Sequence, residues 1–371
     1  MRRAAPARPA REGGVRAFPP RSVERASIPT LPCAVPVSTP PASAAPHTAP
    51  RYSVPHRVEY ALARTLERAV ATLPEGAADA VGRRVGRTIH RLGIRRGVVD
   101  ANLRIAFPGA DDAWIAATAR AAYEHLGREA AAILRLSRLD PQAVIDRTDV
   151  AEDWPKLQAA LDEGRGVILV TGHYGNWEIA AAAVAARGVP IAAIVRRQGN
   201  RLVDARLNAL RKHLGVETIY QGEAPSRVPR VLRKGGIVGI VGDQDARRSG
   251  VFVPFFGRPA STHRGPALFA LKLRAPVFAC VARRLPGGAV RYVVAGQQIV
   301  TERTGELEAD VQTLTAALAA RLEAEVREAP EQYFWFHRRW KSKPPPEPAP
   351  ADQGTHTTQS AERAAPDEDE A

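Results

Sequence analysis

From residue 165 onward, short apolar runs alternate with segments of helical periodicity, and this alternation constrains the fold more than any other feature of the sequence. The apolar runs lie at 166–171, 191–195, 216–220, 237–242, 277–282 and 290–295. Helices are predicted near 175–187, 201–214, 225–234, 263–273 and 305–328. Alternation of this kind is typical of the α/β class, in which helices flank a sheet.

The regions on either side of this alternation differ from it. Residues 76–150 are predicted to be mostly helical, with breaks at Gly93, Pro108–Gly109 and Asp140–Pro141. The first 50 residues are rich in Pro, Ala and Arg, and the chain becomes Pro-rich and then acidic from residue 344. We therefore predict disorder at 1–50 and 344–371. A folded region spans 51–343; its 51–150 part is mostly helical and its 165–343 part is α/β.

The segment 58–73, VEYALARTLERAVATL, is predicted to form an amphipathic helix. Its apolar face consists of Val58, Ala61, Leu62, Thr65, Leu66, Ala69 and Leu73. Such a helix either packs on its own domain, which is the commoner outcome, or lies on a membrane surface. No run of about 18 apolar residues occurs, so no transmembrane helix is predicted.

The charge of the folded region indicates an anionic partner. The formal net charge is +14; residues 1–50 carry +5 and residues 341–371 carry −4, which leaves +13 for the region between them. An anionic membrane, a nucleic acid, an acidic protein or a phosphorylated substrate would fit, although an Arg-rich genome also raises such a charge. Two cysteines, Cys33 and Cys280, argue against a disulfide framework.

The stretch GVILVTGHYGNWEIAAAAVAARG contains the strongest candidate for chemistry. A buried strand at 167–171 is followed by His173, at the edge where open α/β sheets place functional residues. The imidazole would take the proton of an attacking hydroxyl. A carboxylate on the other ring nitrogen, supplied by Glu178, would stabilise the imidazolium, while Gly172 and Gly175 allow the tight turn. The alternative is a structural His and a solvated Glu near a helix N-terminus.

This stretch resembles the H-x4-D/E motif of glycerolipid acyltransferase-type enzymes, and is most similar to the bacterial late acyltransferases of lipid A biosynthesis, the lauroyl and myristoyl transferases. Three further segments match that family in order: NLRIAFPG at 102–109, the block VLRKGG…RAPV at 231–277, and PEQYFWFHRRWKSKP at 330–344. The resemblance covers about residues 58–344. It implies an α/β fold with a mixed sheet flanked by helices and a helical N-terminal region, and an enzyme without cofactor or metal.

The resemblance also implies a set of site residues. His173 and Glu178 are expected to be catalytic. Substrate contacts are expected from Arg196, Asn200, Arg211, Asp243, Gln244, Arg264 and Arg338, and an acyl pocket from Phe252, Phe255 and Phe256. Ordinary roles remain open for several of them, such as helix capping for Asn200. Backbone amides near 172–175, or a nearby Arg, are expected to stabilise the oxyanion. Trp335 and Trp340 would form an interfacial anchor beside basic residues, or close the core.

The function implied is transfer of an acyl chain from acyl carrier protein or acyl-CoA to a glycolipid hydroxyl. A lipid A precursor is the first acceptor and a phosphatidylinositol mannoside-like glycolipid the alternative. We expect peripheral attachment to the cytoplasmic face of the inner membrane, an anionic surface, because the amphipathic helix stands where relatives have a more hydrophobic anchor. An inactive membrane-binding homologue, a peripheral membrane- or nucleic-acid-binding protein and a thioesterase-like hydrolase remain alternatives. No nucleic-acid-binding motif is present, so no nucleic-acid partner is expected.

Overall fold

The structure, a computed structural model, describes residues 52–150, 152–287 and 289–345. The disordered segment predicted at 1–50, and all but the first two residues of the one predicted at 344–371, lie outside the described residues. The helices of the described part are α1 (Val54–Thr72), α2 (Glu75–Arg91), α3 (Arg96–Ala106), α4 (Asp112–Leu134), α5 (Pro141–Arg147), α6 (Trp154–Asp162), α7 (Trp177–Ala186), α8 (Arg201–His213), α9 (Ala224–Arg233), α10 (Gly265–Leu273) and α11 (Leu307–Glu328). Its strands are β1 (Thr148–Asp149), β2 (Val167–Thr171), β3 (Ile191–Val195), β4 (Val216–Tyr220), β5 (Ile237–Val241), β6 (Val251–Phe255), β7 (Arg258–Thr262), β8 (Val277–Arg284) and β9 (Tyr292–Gln298).

A seven-stranded sheet has the order β1-β9-β8-β2-β5-β3-β4. Its strand pairs are parallel except β8 with β9, which is antiparallel, so the predicted α/β class and mixed sheet are confirmed. All six predicted strands form. The sequence patterns placed no strand between 242 and 277, whereas β6 and β7 form a separate antiparallel hairpin there.

The central strands are apolar throughout because helices cover both faces of the sheet. Successive side chains of a strand point to opposite faces. On β2, Val167 packs in the cluster that includes α7, while the next residue, Ile168, packs in the cluster of α9, α10 and α11. Both side chains are fully buried.

The N-terminal helical region is held by a close contact between α2 and α4. A Cβ atom at Gly86 would lie 2.0 Å from the carbonyl oxygen of Tyr123, and one at Gly82 would lie 2.4 Å from that of Gly127. Glycine therefore sets the distance between these two helices. Tyr123, buried on α4, packs edge-on against Phe336 at a ring separation of 4.6 Å and so joins this region to the terminal segment.

Helix α1 places its apolar face outward. Val58, Leu62 and Leu66 are 53%, 67% and 55% exposed, so the expectation that this stripe packs on its own domain was wrong. The side that faces the protein carries Glu67, which is buried and paired with Arg206 of α8. None of the described helices is long and apolar enough to span a bilayer.

Candidate active site

His173 lies two residues beyond the end of β2, in a turn that two glycines make possible. A Cβ at Gly172 would lie 2.5 Å from the Leu322 side chain. Gly175 has φ of +55°, and a Cβ there would lie 1.9 Å from the carbonyl oxygen of Ala282. The turn predicted at these glycines is confirmed. The His173 side chain is 23% exposed, so its ring is held by the protein and still reaches solvent.

Asp243 is the carboxylate that binds His173. Its Oδ1 lies 2.7 Å from the ring Nδ1, and its Oδ2 accepts the His173 backbone N–H at 2.9 Å. Strands β2 and β5 are paired with Thr171 opposite Val241. His173 and Asp243 each lie two residues beyond this pair, so they meet at the same edge of the sheet. Because Asp243 binds both the backbone and the ring of His173, the imidazole has one orientation, with Nε2 on the side of the ring away from Asp243.

The charges of this pair are coupled. Burial alone would lower the pKa of His173, but the charge and hydrogen bond of Asp243, with a smaller contribution from Glu178, raise it above its ordinary value. Burial alone would raise the pKa of Asp243, yet His173 and the nearby Arg339 lower it. Asp243 is therefore ionised, and the Nδ1 proton faces it when the imidazole is neutral.

Glu178 has a different partner from the one expected. Its carboxylate accepts two hydrogen bonds from Arg211 of α8, at 2.6 and 2.9 Å, and both side chains are 16% exposed. The predicted hydrogen bond between Glu178 and the ring of His173 was wrong, since Asp243 occupies that position. This bidentate ion pair holds Arg211 next to the segment that contains His173 and Glu178.

Aromatic side chains that the sequence patterns did not assign to the site hold the imidazole. Trp177 packs edge-on against its ring at 4.8 Å between centroids, and the Phe334 ring lies at 5.9 Å. The Phe334 N–H also donates to the His173 carbonyl at 2.9 Å. Trp177 lies in the segment that contains His173, and Phe334 lies in the matched segment 330–344. Their presence in these family-like segments was the signal by which the sequence could have indicated them.

Two of the backbone amides near His173 already have acceptors within the protein. The N–H of His173 donates to Asp243, and that of Gly175 donates to the carbonyl of Gln332 at 3.0 Å. The expectation that backbone amides at 172–175 or a nearby Arg stabilise an oxyanion is therefore wrong for the amides of His173 and Gly175, and it stays a prediction for the other groups. The Gln244 amide nitrogen, by contrast, lies 3.4 Å from Nε2 of His173. It is a polar group on the reactive side of the ring.

An apolar groove of about 570 Å³, open solvent included, lies near the imidazole. Trp177 lines this groove as well as touching the His173 ring. Its floor is the face of the sheet formed by Leu169, Thr171, Ala193, Val195, Gly239 and Val241, and the Ala180 and Ala181 methyls line it from α7. Glu178 and Arg211 also line it, so a charged pair borders an otherwise apolar channel.

A second apolar cavity, of about 610 Å³ with open solvent included, lies under α10 and α11 beside Asp243. Asp243, which binds Nδ1 of the imidazole, lines this cavity, so the cavity lies on the side of the ring away from Nε2. Phe255 lines this cavity. Phe256 instead packs in the core against Phe107 and Trp335, and the half-buried Phe252 lines none of the described cavities.

The remaining predicted contact residues are dispersed. Asn200 caps α8 through the N–H of Leu202 and donates to the His56 carbonyl and to Glu59, so its side chain has a structural role rather than a free group for substrate. Arg264 is paired with Glu308. Arg196 is exposed at the end of β3, and Arg338 is exposed on the terminal segment.

The two tryptophans of the terminal segment do not form an interfacial anchor. Trp335 is fully buried, and its indole N–H donates to the Pro330 carbonyl at 2.6 Å. Trp340 is 8% exposed and packs near Phe255. Arg339 is also buried and donates to the carbonyl of Ser261 at 2.6 Å. These residues close the core, which was the alternative expectation.

Comparison with known proteins adds an independent observation. The family model described as bacterial lipid A biosynthesis acyltransferase matches residues 45–342. A phosphatidylinositol mannoside acyltransferase of Mycolicibacterium smegmatis is 28% identical over 59% of this chain and 70% of that protein. The lipid A biosynthesis lauroyltransferase of Escherichia coli K12 is 30% identical over 48% and 58%, and the myristoyltransferase of the same strain 26% over 76% and 86%.

Proposed function

This chain belongs to the bacterial lipid A biosynthesis acyltransferase family, and from that premise we propose that it transfers a fatty acyl chain from an acyl thioester to a hydroxyl of a lipid A precursor. The donor is acyl carrier protein or acyl-CoA. The observation that carries the proposal is the His173–Asp243 pair standing beside an apolar groove at the carboxyl edge of the sheet.

The proposed reaction is a direct transfer. Nε2 of His173 takes the proton of the acceptor hydroxyl as its oxygen attacks the thioester carbonyl. Asp243 stabilises the imidazolium that forms. When the carbon–sulfur bond of the tetrahedral intermediate breaks, the imidazolium returns the proton to the departing thiolate. The amide of Gln244 supplies a hydrogen bond to the oxyanion, because it lies on the Nε2 side of the ring.

We assign the acyl chain to the groove over β2, β3 and β5. Its walls are mostly apolar, and one of them is formed by Trp177, whose ring packs against the imidazole. A chain lying there would place its thioester carbonyl near Nε2. The cavity beside Asp243 is the competing site, and it would hold the carbonyl on the opposite side of the ring.

The exposed stripe of α1 supports attachment to a membrane surface, which a lipid acceptor requires. Apolar side chains at Val54, Val58, Leu62 and Leu66 recur every four residues and face away from the protein. The positive charge of the chain between its ends suits anionic headgroups. We place the protein peripherally on the cytoplasmic face of the inner membrane.

A phosphatidylinositol mannoside-like acceptor is a second candidate. The similarity to the mycobacterial acyltransferase favours it, since that alignment spans 70% of the relative. The fold and the His173 chemistry would be the same for both acceptors, and only the glycolipid would differ.

The test is transfer of a radiolabelled acyl chain from acyl carrier protein to a lipid A precursor in detergent micelles. Wild type should form labelled lipid, and His173→Ala should not, although it unfolds at the same temperature. Transfer to phosphatidylinositol mannoside alone would select the second acceptor. Full transfer by His173→Ala would disprove the mechanism, and thioester hydrolysis that ignores every acceptor would indicate a thioesterase.

A further inference from the structure

A basic pocket, separate from the groove and the cavity beside Asp243, lies between the start of α3 and the terminal segment. This open pocket comprises about 910 Å³, open solvent included, and shares no lining residue with either. Arg95, Arg96, Arg338 and Lys341 line it, and no carboxylate is among the described residues that do so. This concentration of one charge sign in a concave surface indicates an anionic ligand.

Most of this positive charge is not neutralised within the protein. In the described part of the chain, the side chains of Arg338 and Lys341 have neither a hydrogen bond nor an ion pair. Arg95 donates only its Nε, to the Phe336 carbonyl at 2.9 Å. Arg96 has a long, exposed contact of 3.6 Å with Asp100, a type of pair that is worth little.

The backbone adds to the attraction for an anion. Helix α3 has eleven residues and begins at Arg96. Its first-turn residues Arg96, Gly97 and Val98 line this pocket, so the positive end of the helix dipole lies beside it. Gly97, in the first turn, has open space where a Cβ would stand. The indole nitrogen of Trp340, a residue that also lines the pocket, is buried and has no hydrogen-bond partner among the described residues.

Exposed apolar residues stand directly before the pocket in the chain. Leu92 and Ile94 are 69% and 51% exposed in the turn between α2 and α3. Apolar side chains next to cations match the boundary between acyl chains and headgroups of a membrane. The ligand is therefore more consistent with a lipid than with a free anion.

We propose that this pocket binds the phosphomonoester headgroup of a membrane lipid. Guanidinium forks match the tetrahedral oxygens of phosphate and can bind two of them at once. The terminal segment connects the pocket to the catalytic residue, because Phe334 bonds to the His173 carbonyl and Arg338 follows four residues later. Binding is measured without any acyl donor, so it succeeds or fails independently of the proposed acyl transfer.

The experiment compares sedimentation with two sets of phosphatidylcholine vesicles of equal zeta potential, one containing phosphatidic acid and the other phosphatidylserine. Wild type should bind the phosphatidic acid vesicles more tightly. The double variant Arg338→Ala/Lys341→Ala should lose about tenfold or more in affinity for them, because charged hydrogen bonds to the phosphate are removed, and much less for phosphatidylserine. Both proteins should unfold at the same temperature.

The matched control is Arg233→Ala/Lys234→Ala, an exposed basic pair at the end of α9, which should keep the phosphatidic acid preference. Equal binding of wild type to the two vesicle types would show that the protein is attracted non-specifically to negative charge. An equal loss of affinity in the control variant would show the same, and either result would disprove the headgroup pocket. Inorganic phosphate is titrated separately. Binding of it as tight as that of the vesicles would overturn the lipid part, whereas weak binding supports a lipid headgroup.

Discussion

The carboxylate of Asp243 accepts two hydrogen bonds from His173, one from the ring at 2.7 Å and one from the backbone at 2.9 Å. The residues are 70 positions apart in sequence, and two adjacent parallel strands bring them to the same edge of the sheet. A carboxylate held in this way fixes both the direction and the basicity of the imidazole.

Replacing Asp243 should change the pH profile as well as the rate. A general base must be neutral, so wild-type activity should rise with pH through an apparent pKa above 6.5. In Asp243→Asn the burial that lowers the pKa of His173 remains, while the carboxylate that raises it is lost. The rise in activity with pH should therefore occur at lower pH in this variant. The plateau rate should fall about 10³-fold or more. An unshifted rise would show that Asp243 does not act through His173.

Glu178→Gln should be milder than Asp243→Asn. Glu178 contacts Arg211 rather than the ring, and it makes the smaller contribution to the raised pKa of His173. Loss of one charged hydrogen-bonding partner predicts about 10- to 100-fold lower kcat/KM and a smaller pH shift. Steady-state kinetics across pH measures both. A loss as large as that of Asp243→Asn would restore Glu178 as the main support of the imidazole.

Gln244→Leu should lower kcat and leave KM almost unchanged. An oxyanion donor acts only when charge develops on the carbonyl oxygen, and removing one such donor costs about 10²–10³ in kcat. Gln244→Asn, which keeps the amide on a shorter side chain, serves as the comparison and should recover part of the loss. A rise in KM without a change in kcat would instead make Gln244 a ground-state binding residue.

Gly239→Leu should shorten the acyl chain that is preferred. A Cβ at Gly239 finds ordinary contacts of 3.8 Å with Ile191 and 4.0 Å with Ala193, so the larger side chain would project into the groove. Competition between donors of different chain length measures the shift. Ala279→Leu, which fills the cavity beside Asp243, is the control. If that variant changes chain length and Gly239→Leu does not, the acyl chain occupies the other cavity.

Gly86→Ala should destabilise the fold by about 1–3 kcal/mol. Its Cβ would lie 2.0 Å from the Tyr123 carbonyl oxygen, so α2 and α4 would have to separate. Gly76→Ala is in the same helix with open space around it and should be neutral or stabilising by about 0.5–1 kcal/mol. Urea unfolding followed by circular dichroism compares them. Equal stability of the two variants would contradict the close helix contact.

The β6–β7 hairpin shows why a local pattern can fail. Its first strand contains Pro254, which is exposed, and a proline inside an apolar run argues against a strand. A two-stranded hairpin tolerates this residue because Pro254 stands on an edge. The tertiary position of the strand, which the sequence pattern does not specify, therefore decided the outcome.

The six strands of the main sheet that were predicted, the helices between them and the turn at His173 were determined by the sequence itself. They depend on apolar periodicity and on glycines within a few residues, and these interactions are local. The partner of His173 depended on strand order: β2 lies beside β5 rather than beside β3, the next strand along the chain. Because that order arises from packing between distant segments, only the tertiary structure could place Asp243 on the ring and send Glu178 to Arg211.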